Sequence, residues 1–209
     1  MTRRAIGFYW TLPVPWAGFA ALPTDIDAAA KLSRTIRYQQ VAIRAYAKAE
    51  GYQLIHEEAF LELEPDRGTE IILGPLAKVE QLCRSNDAVL LYVDFWRAQG
   101  WRSHGFLRDW IERTGIRTEE VSPESVVIDG KEFDPHAHFA DWRHRQQDWM
   151  ASKTARAEAS YGQASRLRGE GLGYAVVAQR MNAEGLPNLT GKPWTAENLR
   201  KFMGKMKND

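Results

Sequence analysis

The chain has 209 residues, 44% of them apolar, with eight tryptophans and one cysteine; such a composition encloses one proper core plus a small accessory domain and excludes a disordered or fibrous protein. No run of eighteen apolar residues exists, the start Met1-Thr2-Arg3-Arg4 leads only into the brief apolar stretch Ala5–Trp10, and Cys83 has no second cysteine to pair with, so we expect neither a membrane span nor a signal peptide, and a cytoplasmic location. Net charge is +1 but uneven: of 28 Lys/Arg and 27 Asp/Glu, ten and five lie between Ala151 and Asp209, leaving 18 bases against 22 acids before it, so positive charge gathers at the C-terminal end.

Ala5 to Trp10 is an aromatic-rich apolar run that predicts a first strand. Pro13 to Pro23 is a Trp/Pro/Ala-rich excursion without periodicity. Thr24 is placed to cap a helix starting at Asp25, whose apolar positions Leu32, Ile36, Ile43 and Tyr46 suit one long amphipathic helix stopped by Gly51. Tyr52–Ile55 predicts a second strand, followed by an acidic loop from Glu57 to Gly68 and a helix from Gly74 to Arg84. Ala88–Val93 is a continuous branched-apolar run, the pattern of a strand covered on both faces. Phe106 to Arg113 predicts a helix closed by Gly115, and Val126-Val127-Ile128 before Asp129-Gly130 predicts a small hairpin or edge strand. Strand and helix alternate throughout, which argues for an α/β unit with a mostly parallel sheet over 1–134. From Pro135 the pattern becomes helical, with Phe139, Trp142 and Trp149 on one side; a long connecting helix is expected over 135–162 and a small all-α domain over 163–209. Its helices are expected at Arg156–Arg168, Tyr174–Glu184 and Thr195–Met206.

The most informative stretch runs from Ala178 to Thr195. A helix ending in Met181-Asn182-Ala183-Glu184-Gly185 is followed by a loop with Pro187, Gly191 and Lys192, then by Trp194 and by Thr195, which caps a last helix carrying Arg200-Lys201. The pattern Ala-x-x-Met/Leu-Asn-x-x-Gly-x-Pro-x-x-x-Gly-x-x-Trp-Thr resembles the segment that follows the catalytic domain of many serine recombinases (resolvases and invertases), where it forms a helical DNA-binding module. That resemblance implies double-stranded DNA as partner, a helix-turn-helix-like arrangement and nucleoid association. The last helix would then offer its N-terminus to a phosphate and its first turn to base edges. Thr195, Glu197, Asn198 and Lys201 are the expected DNA contacts, with Arg200, Lys205 and Lys207 supplying phosphate attraction. Gln179, Arg180, Thr190, Lys192 and Trp194 complete the expected interface.

The first part of the chain is similar to the same family's catalytic domain, which implies a resolvase-like sheet. Ala5-Ile6-Gly7-Phe8 resembles the opening strand, and Thr35-Ile36-Arg37-Tyr38-Gln39, Ile43, Ala47 and Gly51 resemble the helix Ser-Leu-x-x-Gln…Ile…Ala…Gly. The family's first strand continues as Tyr-x-Arg-Val-Ser, whose serine attacks a DNA phosphate. Here Leu12 stands at that serine and Trp10 at the arginine. Phosphoryl transfer needs a hydroxyl and convergent cations, so a catalytically degenerate domain is expected, with Trp10, Trp16, Trp96 and Trp101 filling the former pocket. The family's Asp-Arg-Leu-x-Arg motif is also broken, at Asp94-Phe95-Trp96-Arg97-Ala98-Gln99. An active but divergent recombinase would have to use Thr11 as nucleophile, with Arg97, brought in by a one-residue shift of its loop, and with Arg102 and Arg67 as further cations; a third reading is a protein-binding scaffold whose basic end adds non-specific DNA affinity. The family uses no metal or cofactor, and none is expected, the cluster Asp134, His136, His138, Asp141 and His144 reading as a solvated helix start. Trp142 and Trp149, seven apart, form a stripe suited to a homodimer through the long helix.

Overall fold

The computed structural model describes residues 3–63, 68–95, 98 and 104–207. Two compact units emerge: one comprises 1–13 and 21–142, the other 14–20 and 143–209.

The first unit is α/β. Strand β1 (Arg3–Thr11) is followed by helices α1 (Ile26–Leu32) and α2 (Arg34–Ala49), strand β2 (Tyr52–Leu61), helix α3 (Leu73–Asn86), strand β3 (Val89–Val93), helix α4 (Gly105–Thr114) and strand β4 (Thr118–Val121). All four strands are parallel, in the order β2-β1-β3-β4. Every residue from Ala5 to Leu12 is buried, so β1 is covered on both faces, as its unbroken apolar run requires. Gly7 makes room within it: a Cβ there would meet the Tyr9 hydroxyl at 2.8 Å and its ring at 3.1 Å, since residues two apart share a strand face.

Several expected elements differ. Asp25, not Thr24, caps α1, accepting from the Ala28 amide at 2.8 Å. The single long helix is two: Ser33 is extended (φ −123°, ψ 115°), closes α1 and caps α2 through its hydroxyl. With the helix interrupted, Leu32 lies exposed while Ile36 and Ile43 are fully buried. The acidic stretch after Ile55 is strand as far as Leu61, because its charges find partners on both sides of the sheet. Glu57 receives Arg44 of α2 through two bonds of 2.8 and 2.9 Å, and Glu58 receives Lys78 of α3 at 2.7 Å. Successive strand residues point to opposite faces, which places α2 on one face of the sheet and α3 on the other. β4 was not legible as a strand; Thr118-Glu119-Glu120-Val121 is a short edge with only Val121 buried. The hairpin is present: β5 (Val126–Ile128) and β6 (Lys131–Phe133) are joined through Asp129 (φ 51°) and Gly130 (φ 77°), the positive-φ pair that a tight two-residue turn demands.

Helix α5 (Pro135–Ala151) stops at Ser152 and α6 (Lys153–Gly169) begins afresh, so the helix expected over 135–162 is two helices and position 163 falls inside the second. α7 (Tyr174–Ala183) and α8 (Ala196–Met206) complete the second unit. Ala164 and Leu167 of α6, Val177, Ala178 and Met181 of α7, Trp194, and Leu199 of α8 form one buried cluster, with Leu172, Tyr174, Phe202 and Met203 packed around it. The Pro13–Pro23 excursion contributes Val14–Ala20 to this unit. It is a tight turn closed by Val14–Phe19 bonds of 2.9 and 3.1 Å, and Pro15 lies so close to Gly191 (φ 82°) that a Cβ on the glycine would sit 2.5 Å from it. Among the described residues no helix is long and apolar enough to cross a membrane.

Candidate nucleic-acid interface

The segment from α7 to α8 is built by short-range chemistry. α7 ends in a Schellman arrangement: Gly185 is left-handed (φ 71°), its amide donates to Asn182 O at 3.1 Å and the Leu186 amide to Met181 O at 2.9 Å. Asn182 clamps the next helix to this end, its side chain donating to Trp194 O at 2.9 Å and accepting from the Trp194 amide at 2.7 Å. Asn188 holds the intervening loop, its carboxamide oxygen accepting from the Thr190 amide, the Thr190 hydroxyl and the Lys192 amide at 2.7–3.1 Å. Thr195 then caps α8 in a reciprocal box: its hydroxyl accepts from the Asn198 amide at 3.1 Å while Asn198 Oδ1 accepts from the Thr195 amide at 2.8 Å.

α8 has two faces. Leu199, Phe202 and Met203 turn toward the core, whereas Glu197, Arg200, Lys201, Gly204 and Lys205 are exposed at the i, i+3, i+4, i+7, i+8 spacing of one helix side. Lys201 pairs with Glu197 at 2.7 Å. That hydrogen bond, with the charges of Lys201 and then Arg200, holds the Glu197 carboxyl below the usual carboxylate range, so it is ionised at neutral pH. A negative charge in the first turn opposes a phosphate at this helix end, contrary to the expected use of the α8 N-terminus. Arg200, Lys205 and Lys207, and Lys192 in the loop, are exposed and form no salt bridge among the described residues.

The remaining expected contacts divide. Gln179 and Arg180 are exposed on α7, Arg180 lying 3.4 Å from Glu170. Thr190 is exposed, its hydroxyl engaged by Asn188. Trp194 is only 4% exposed and packs against Phe202 with ring centroids 5.0 Å apart; it builds the unit and is not on its surface. Asn198 is tied into the cap at both ends of its carboxamide, with Nδ2 reaching Pro193 O at 3.4 Å. Asn182 and Asn188, which hold the α7–α8 loop, were absent from the expected contacts, although both lie inside the stretch that carries the resemblance.

At the carboxyl end of β1, the strand pairs with β2 as far as Thr11 but with β3 only as far as Phe8. Gln39 of α2 fills the place β3 vacates, donating to Trp10 O at 2.7 Å and accepting from the Trp10 amide at 3.1 Å. Thr11 is 4% exposed, its hydroxyl 3.2 Å from that of the equally buried Ser33, and Leu12 is buried beside it. Arg97, Arg67, Arg102, Trp96 and Trp101 lie outside the described residues. Trp10 packs against Phe95 and His104; Trp16 belongs to the second unit instead. Nearby, Glu62 is wholly buried and accepts from His104 Nε2 at 2.7 Å, from the Thr69 hydroxyl and amide at 2.7 and 2.9 Å, and from the Leu63 amide at 2.6 Å. Burial alone would raise its pKa, but these four donors outweigh it and bring the group down to about 2.

In the polar cluster at the start of α5, His138 Nε2 lies 3.1 Å from the Thr35 hydroxyl and its ring packs on Phe133 and Phe139. Burial, and then the charge of Arg34, push this imidazole down to about 4 against a smaller opposing effect of Asp141. It is a neutral, half-buried histidine. Asp134 caps the His136 amide at 2.8 Å, and His144 faces Asp148 at 3.7 Å. Among the described residues no three His, Cys, Asp or Glu side chains converge as metal ligands. Of the tryptophan stripe, Trp142 is buried and Trp149 lies under the Arg156 guanidinium at 3.2 Å. No protein-family model matches the chain, and neither a curated protein nor a solved structure does.

Proposed function

We propose that this chain is a sequence-dependent DNA-binding protein of the serine-recombinase kind, without strand-cleaving chemistry, acting in regulation or in a mobile-element or phage setting. The observation that carries the reading is the two-faced α8: its apolar side completes a three-helix core while Arg200, Lys201 and Lys205 stand exposed on the other. A helix held this way at the edge of a small unit is what a major groove accommodates. Because Glu197 occupies the first turn, Lys192, Lys205 and Lys207 are the phosphate contacts, and Glu197 with Arg200 faces base edges. The parallel sheet order β2-β1-β3-β4, with its opening between β1 and β3, is compatible with a resolvase-like domain. Loss of chemistry is supported by the end of β1, where a buried Leu12 stands at the family's serine and Thr11 is enclosed against Ser33. Two copies would bind a two-part site. Since Trp142 and Trp149 are occupied within the chain, a dimer contact in 135–162 would use residues such as Met150, which is exposed.

The test is selection of bound duplexes from a randomised pool by the full chain, followed by salt-dependent titration. We expect one sequence to be preferred over bulk DNA by about a thousandfold or more, with Arg200→Ala relaxing the preference and Lys205→Ala weakening all sequences alike. Failure to retard any duplex at low ionic strength overturns the reading. A covalent protein–DNA adduct on supercoiled substrate, lost in Thr11→Ala, would overturn the absence of chemistry.

A further inference from the structure

A groove of about 840 Å³ in the first unit lies between the α1–α2 corner and the β5–β6 hairpin. Its lining includes the apolar Ala30 and Ile128, both buried, and four cations: Lys31, Arg34, Arg37 and Lys131. The two acids on its walls are already engaged. Asp27 accepts from Gln40 at 2.8 Å and from Arg44 at 3.3 Å, and Asp129 pairs with Arg37 at 3.2 Å. Among the described residues, Lys31, Arg34 and Lys131 line the groove without a carboxylate partner. Arg34 is held instead over the Phe133 ring at 5.4 Å, a contact that positions a guanidinium without neutralising it. The Arg34 charge also opposes protonation of His138.

Three unpaired cations around one groove repel each other, and a ligand bearing several separated oxyanions relieves that repulsion. We infer that this groove is a second nucleic-acid contact, one that takes backbone phosphates and reads no bases. Lysine ammonium groups are point charges that follow a phosphate backbone without demanding the fixed fork a bidentate carboxylate prefers. The apolar Ala30 and Ile128 side chains offer no hydrogen bonds to discriminate base edges. The inference rests on the DNA-binding reading for its partner, while its residues are independent of α8.

The test compares full-length Lys31→Glu/Lys131→Glu with a control of equal charge change, Lys48→Glu/Arg113→Glu, whose positions are exposed and lie off the groove lining. The probe is a mixed-sequence duplex titrated across salt. The groove variant is expected to bind about tenfold more weakly than the control near 50 mM salt, with the slope of log affinity against log salt shallower by about 1 to 2. Coincidence of the two variants overturns the inference. So does a groove that takes a mononucleotide, with loss in the groove variant, while the duplex slope stays at the control value. If Arg200→Glu/Lys205→Glu leaves binding intact, the α8 reading fails, yet the groove comparison still decides this inference on the remaining affinity. If the wild-type chain holds no duplex at all, both fall.

Discussion

The α7–α8 segment and the end of β1 both carry residues of one resemblance, and the structure uses them differently. In the C-terminal unit each position works on a neighbour: Gly185 caps, Asn182 clamps Trp194, Thr195 caps and Trp194 fills the core. In the first unit Gln39 works at long range, replacing a missing strand partner of Trp10 twenty-nine positions away. The comparison teaches that most positions carrying the C-terminal resemblance build a shape. What that shape binds is written in the exposed residues between them, chiefly on α8.

The largest effect that would break this comparison is expected from Trp194→Ala. Removing the buried indole should cost the second unit about 3–5 kcal/mol, seen as loss of its thermal transition by circular dichroism and of duplex binding. An unchanged transition with duplex binding lost would mean that Trp194 is an interface residue after all. Next, Gln39→Leu leaves the buried Trp10 amide and carbonyl unpaired and should destabilise the first unit by about 2–4 kcal/mol, measured by urea unfolding; an unchanged midpoint would show that β1 needs no substitute partner there.

A third experiment separates two titrations within the first unit. The folded pKa of His138, about 4, lies below its ordinary 6.5, so the unfolded chain takes up the proton first. Stability should be full above pH 6.5 and fall as pH drops toward 4, by at most about 1.4 kcal/mol per unit. His138→Gln should flatten that decline. Glu62, lowered from 4.5 to about 2, acts in a lower window: its stabilisation is present above pH 4.5 and is lost as pH falls toward 2. A decline confined below pH 4.5 in the wild type would contradict a neutral, half-buried His138. The smallest effect is expected from Thr195→Ala, which removes one cap from α8 for about 1 kcal/mol and should weaken DNA binding only as far as the helix frays; a loss of tenfold or more at unchanged stability would make Thr195 a direct contact.

Much of the fold was legible. The apolar runs at Ala5–Trp10 and Ala88–Val93, the Gly115 and Gly185 stops, the Asp129-Gly130 turn and the Thr195 cap each follow from residues within a few positions of one another. The candidate interface was legible in part. Arg200, Lys201 and Lys205 stand on the exposed face as expected, but Trp194 and Asn198 are consumed in building it, which a spacing pattern cannot distinguish from display. The cationic groove was not legible, because Lys31 and Lys131 are a hundred positions apart and meet only across the hairpin.

By itself, then, the order of residues settled the parallel α/β character of the first part, the helical character of the second and the amphipathic α8, since periodicity and capping act within one or two turns of chain. Tertiary structure alone decided that Glu57 and Glu58 sit in a strand, that Ser33 divides its helix, that Pro15 lies on Gly191, and that Glu62 can be buried ionised. Each of those outcomes depends on a partner supplied from elsewhere in the fold, such as Arg44, Thr11 or His104, and a buried charge or a broken helix is favourable only once that partner is in place.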